Sequence, residues 1–127
     1  MGSKSQISVE FLMLIGLAAI IAIAFQYVSL SQIIDFKSIN EKEAVKDVAI
    51  KIQREILLAT SVEDGYVRTF EIPDKLGDAN YTITLQNSTL TVQSKEGLYF
   101  VRVPKISGNL SKGYNTINKT GGVINVN

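Results

Sequence analysis

The sequence predicts an α+β protein: a long N-terminal helix, apolar in its first half and amphipathic in its second, packed on a small antiparallel β-sheet head. Three observations carry that expectation. Phe11 to Ile34 is a run of 24 residues without a charge. No Pro or Gly lies between Leu17 and Asp64, and apolar residues recur there at Val45, Val48, Ala49, Ile52, Ile56 and Ala59. That is the i, i+3, i+4, i+7 spacing of one helix face. After Gly65 the period changes to alternation, as in strands.

The elements follow in order: a short leader over residues 1–5, an apolar helix over 6–35, its amphipathic continuation over 36–64, and a β head over 65–127. At about 1.5 Å per residue the uncharged run reaches roughly 36 Å, enough to cross a hydrocarbon core of about 30 Å. Lys4 is the only cation ahead of it. By the positive-inside tendency it places the N-terminus in the cytoplasm and the head outside. Glu10 stands at the start of the apolar run, and an acid at the edge of a membrane helix requires a partner. The helix is expected from about Gln6 to about Thr60, with Asp47–Lys51 and Lys51–Glu55 as i, i+4 pairs on its solvent face. Gly65 is the expected C-terminal stop.

Composition narrows the function. The 127 residues include 13 basic and 12 acidic side chains, a formal net charge of +1, so no global field recruits nucleic acid. There is no Cys and no His. Disulfides, thiolate chemistry and the commonest general base and metal ligand are therefore excluded. Neither a Gly-rich phosphate loop nor a catalytic constellation stands out. Asp74 and Asp78 flank a turn, but their spacing matches no calcium loop. No enzyme activity, cofactor or metal is expected.

The apolar stretch admits three readings. A cleaved secretory signal finds a small-x-small site at Ala22-Ile23-Ala24, which would start the mature chain at Phe25. The uncharged run is longer than such a signal needs, and Glu10 is out of place in it. A plain membrane anchor with an outer ligand- or partner-binding head fits the length but leaves Glu10 unexplained. The third reading uses the letters themselves. Lys4, Ser5, Gln6, Ser8, Glu10 and Phe11, followed by Gly16 within the apolar run, resemble the class III leader of archaeal type IV pilins and archaellins. The close match covers about a dozen residues, and the layout of helix and head matches over the whole chain. Gly is commoner than Ser5 before the cut in that family.

The resemblance implies a pilin of a type IV pilus-like filament, serving surface adhesion. A prepilin peptidase would cut between Ser5 and Gln6, recognising Lys4 and Gln6, and the apolar helix would be kept. Partners would be other copies of the chain, the prepilin peptidase, an assembly ATPase with its membrane platform, and the cytoplasmic membrane before assembly. The mature protein would end in an extracellular filament. Cleavage creates an ammonium at Gln6, and Glu10 of one subunit would meet the Gln6 ammonium of its neighbour. Such a pair sets register more than it adds stability, because a mismatch leaves a charge unpaired in a low-dielectric core.

The head reads as four successive strands in a meander: Tyr66 to Ile72, Asn80 to Leu85, Leu90 with Val92 and their neighbours, and Leu98 to Val103. Turns fall at 73–78, 86–88 and 95–97. Residues 105–127 read as a surface loop plus a last, exposed edge strand at Val123-Ile124-Asn125-Val126. Four Asn-x-Ser/Thr triplets lie in the head, at Asn80, Asn87, Asn109 and Asn118, each a candidate N-glycosylation site. Asn87, Asn109 and Asn118 are expected to be accessible, and Asn80, at a strand start, less so.

Overall fold

The computed structural model describes residues 2–127, with the side chains of residues 2–5 and 34 outside the description. Helix α1 spans Gly2–Ser61 and is followed by seven strands. The chain divides into two compact units, Met1–Lys37 and Ser38–Asn127. The first is helix throughout its described length. The second holds the rest of α1 and all the strands, giving the α+β arrangement expected.

The second unit forms because one helix stripe needs cover. Val45, Val48, Ala49, Ile52, Ile56 and Ala59 are all buried, with Ile52, Ile56 and Ala59 at 0 % exposure. They join one cluster with Phe70, Ile72, Tyr81, Leu90, Val92, Val103, Ile117, Ile124 and Val126. Each large apolar side chain so buried contributes about 1.5–3 kcal/mol before chain entropy is counted. The close fit shows at Gly97, where a Cβ would come within 3.1 Å of the Lys42 Cα. Beside it, Glu41 Oε1 accepts the Glu96 N–H at 3.2 Å. A hydrogen bond from the Ser94 hydroxyl, above all, holds the Glu41 carboxyl below its usual range.

The strands make two sheets where a single meander is expected. β2 (Tyr81–Gln86), β3 (Thr89–Ser94) and β4 (Leu98–Arg102) form the antiparallel meander, in the order β2-β3-β4. Asn87 and Ser88 turn β2 into β3 with φ of 49° and 62°, the two left-handed positions of a tight hairpin. β1 (Val67–Ile72) does not join them. It pairs antiparallel with β6 (Gly113–Thr120), Phe70 opposite Asn115. β6 pairs with β7 (Val123–Val126), and β7 pairs in parallel with the short β5 (Ser107–Gly108). The order is β1-β6-β7-β5, so the segment expected as an exposed edge strand lies inside a sheet. The tail is core: Ile117, Ile124 and Val126 are buried.

Asn115 is the buried polar residue that shapes this tail. Its Oδ1 accepts the Ser111 N–H at 2.9 Å, and its Nδ2 donates to the carbonyls of Ser111 at 2.7 Å and Gly113 at 3.1 Å. The amide thus meets its hydrogen-bonding needs while entering the core. Gly108, at φ 100°, lies so close to β7 that a Cβ there would overlap the Val126 carbonyl oxygen.

Charged side chains tie helix to sheet, and the i, i+4 pairs expected along the helix give way to these contacts. Lys51 Nζ donates to the Glu71 carbonyl at 2.8 Å, and Glu55 pairs with Arg68 of β1 at 2.9 Å. Gln53 donates to the Arg102 carbonyl at 2.8 Å. The last turn of α1 holds no basic residue. Lys119 of β6 supplies one from afar, donating to the carbonyls of Thr60 at 3.0 Å and Val62 at 2.7 Å. A cation suits the negative end of the helix and satisfies carbonyls that have no partner within it. Gly65, at φ 94°, then reverses the chain, and its N–H donates to the Lys119 carbonyl at 2.8 Å. Lys119→Met keeps the stem and removes the charge. It should destabilise the head by about 1–2 kcal/mol, read as a lower Tm in thermal unfolding of the full chain in detergent.

Candidate assembly helix and modification sites

The first half of α1 is defined by what its own chain leaves uncovered. From Gln6 to Ile33 every side chain is exposed except Ser29, which is half-buried. The exposed set includes sixteen large apolar residues, among them Phe11 at 62 %, Ile23 at 69 % and Phe25 at 72 %. By length and composition this helix is able to cross a membrane. Gly16, Ala18, Ala19, Ala22 and Ala24 thin part of its surface, and small residues let helices approach closely in apolar surroundings.

Gln6 and Glu10 both lie on this helix and are exposed. Four residues apart, they stand one turn from each other on the same face. The side chains of Lys4 and Ser5, expected in leader recognition and cleavage, lie outside the described residues. The helix spans the expected cut, since α1 begins at Gly2.

The four Asn-x-Ser/Thr sites fall into unlike settings. Asn80, the site whose access the sequence leaves least certain, is exposed just before β2. Asn87 is exposed at the hairpin tip, and Asn109 is exposed after β5. Asn118 differs from expectation. It lies in β6 between Val67 of β1 and Asn125 of β7. Its Oδ1 is buried and unpartnered. Local sequence shows the triplet but not the two strands that flank this half-buried residue.

Elsewhere the head carries features the sequence reading did not single out. β4 exposes Leu98 at 60 % and Phe100 at 67 %, while Tyr99 and Val101 point to the partly buried side. The signal was present, since this strand is apolar at both alternations. Lys112 Nζ sits 4.5 Å from the centre of the Tyr81 ring, a cation–π contact, and the Tyr81 hydroxyl donates to the Pro73 carbonyl. Burial, reinforced by Asp74, pushes the Tyr81 phenol above its ordinary range. Among the described residues no group of three or more His, Cys, Asp or Glu side chains is placed to hold a metal.

Compared with family models, with curated proteins and with solved structures, the chain finds no match.

The settings of the four asparagines lead to a prediction. Site-by-site glycopeptide mapping of protein from its native host should find Asn118 unmodified, with sugar confined to Asn80, Asn87 and Asn109. Sugar at Asn118 would contradict this, since the residue is half-buried with strands paired on both sides.

Proposed function

We propose that the chain is a structural subunit of an archaeal type IV pilus-like extracellular filament, serving adhesion and assembled through its N-terminal helix after cleavage between Ser5 and Gln6. One observation carries the reading. A single helix buries its stripe within the head over residues 45–59, yet leaves its most apolar stretch uncovered by the chain. At about 1.5–3 kcal/mol per large apolar side chain, exposure of that stretch to water is prohibitive. A membrane covers it before assembly, and the same stretch of other copies covers it in a filament.

The second environment gives Gln6 and Glu10 a joint role that the resemblance implies. Cleavage before Gln6 turns its backbone nitrogen into an ammonium one helical turn from the Glu10 carboxylate. Staggered neighbours then bring each Glu10 to the next subunit's ammonium. The prepilin peptidase, assembly ATPase and membrane platform enter this proposal through the resemblance of residues 4–16 to the archaeal leader. The competing reading is a single-pass anchored surface protein, in which Glu10 faces water at the membrane boundary.

Glu10→Ala separates the two. In a filament it leaves a buried ammonium unpaired at every subunit, a loss of about 3–5 kcal/mol each. In a plain anchor the change costs within about 0.5 kcal/mol. Expressed in place of the wild-type copy, the variant should reach the membrane at normal levels and yield few or no sheared filaments. Unchanged filament yield would remove Glu10 from the assembly mechanism, and absence of filaments from wild type would favour the anchor.

A further inference from the structure

Asn87 stands at the rim of a hollow of about 260 Å³. Its lining combines the apolar surfaces of Leu85, Pro104 and Ile106 with the polar groups of Ser88 and Lys105. Leu85, Pro104 and Ile106 are only half-buried, so the chain leaves apolar surface open here. The position joins the two sheets. Leu85 is the last residue but one of β2 in the meander, while residues 104–106 lead from β4 of that sheet into β5 of the other. Ser88 is tied to the start of this crossing, its carbonyl accepting the Val103 N–H at 2.9 Å.

We propose that a saccharide N-linked to Asn87 seats its first ring in this hollow and straps the β2–β3 hairpin to the 104–106 crossing. The chemistry of a pyranose fits the lining: its C–H face is apolar and its rim carries hydroxyls. The C–H face meets Leu85, Pro104 and Ile106, and the hydroxyls meet Ser88 and the Lys105 ammonium. Asn87 is the attachment point because it combines the Asn-x-Ser/Thr triplet, an exposed side chain and a position lining the hollow. Asn80 also borders a hollow, but that one is lined by Tyr81, Thr82, Gln93 and Ser94, all within the β2-β3-β4 sheet, so a sugar there would not reach the crossing between the two sheets.

The donor is a lipid-phosphate-linked saccharide. The Asn87 Nδ2 bonds to C1 of its first sugar, the bond from C1 to the phosphate oxygen breaks, one amide proton is released, and the lipid phosphate departs with the bonding pair. The proposal rests on the outward placement of the head in the function proposed above.

Thr89→Val abolishes the triplet while leaving Asn87 and the β-branched shape at the start of β3 in place. Thr82→Val does the same for Asn80. Full-length wild type and both variants, purified in detergent from the native host, would be compared by glycopeptide mapping, hydrogen exchange and thermal unfolding. Thr89→Val should lose the Asn87 sugar, speed amide exchange over residues 104–108 and lower Tm by roughly 4 °C or more. Thr82→Val should leave exchange at 104–108 unchanged. Wild type and Thr89→Val made in a host without N-glycosylation should exchange alike over 104–108, which separates the sugar from the side-chain change. An unmodified Asn87 beside a modified Asn80 or Asn109 overturns the strap alone. So does loss of the Asn87 sugar without change at 104–108, or an equal change in the sugar-free pair. Sugar at none of the four sites overturns the strap and counts against the outward placement of the head, whereas the Glu10→Ala filament assay is read without reference to any sugar.

Discussion

The structure depends on one helix meeting two different demands for burial. Over residues 45–59 the demand is a stripe, and the head meets it completely, with Ile52, Ile56 and Ala59 at 0 % exposure. Over residues 6–33 apolar side chains face every direction, and the chain offers them no cover. A helix with a polar face can finish folding within its own domain. One that is apolar all round must be enclosed by lipid or by other helices. The proposed function is the consequence of that difference, sharpened by a carboxylate at position 10 that apolar surroundings would not tolerate alone.

The head is closed by residues far along the chain. β1 finds its partner in β6, more than 40 positions later, and Lys119 returns from β6 to the carbonyls at the helix end. The end of the helix, the first strand and the tail are therefore tied to one another by direct hydrogen bonds. Asn115 lets a polar segment enter the core because its amide is fully engaged by the Ser111–Gly113 loop. The Val103–Ile106 crossing leads from one sheet to the other, and apolar surface remains partly open there, beside the Asn87 position where a sugar is proposed to strap it.

Local periodicity made the helical half legible. All six stripe residues from Val45 to Ala59 are in the core, because a 3.6-residue repeat reports burial without knowledge of the partner. The strands β1 to β3 are also readable from alternation, and β4 from its continuous apolar run. Their pairing is not: adjacency in sequence argued for one meander, yet Phe70 and Ile72 lie in a different sheet from Tyr81 and Leu90. Residues 105–127 read as a surface loop plus an exposed edge strand because they are rich in Gly, Ser and Asn, and a buried Asn115 or a Gly108 pressed against Val126 gives no local signal. The charge pattern misled for the same reason. Glu55 lies one turn from Lys51, but Arg68 approaches it from another element. At the candidate sites, the spacing of Gln6 and Glu10 was visible in the letters, whereas the half-buried setting of Asn118 depends on β1 and β7, which flank it from distant parts of the chain.

The central claim is that copies of residues 6–34 cover one another. It is tested most directly by electron microscopy of filaments sheared from the native cell surface, with the constituent chain identified by mass spectrometry. The account predicts filaments built from this chain, its first residue Gln6 and its apolar helix retained. A mature chain beginning at Phe25, or a chain recovered only as a membrane-held monomer from cells whose filaments lack it, would contradict the account.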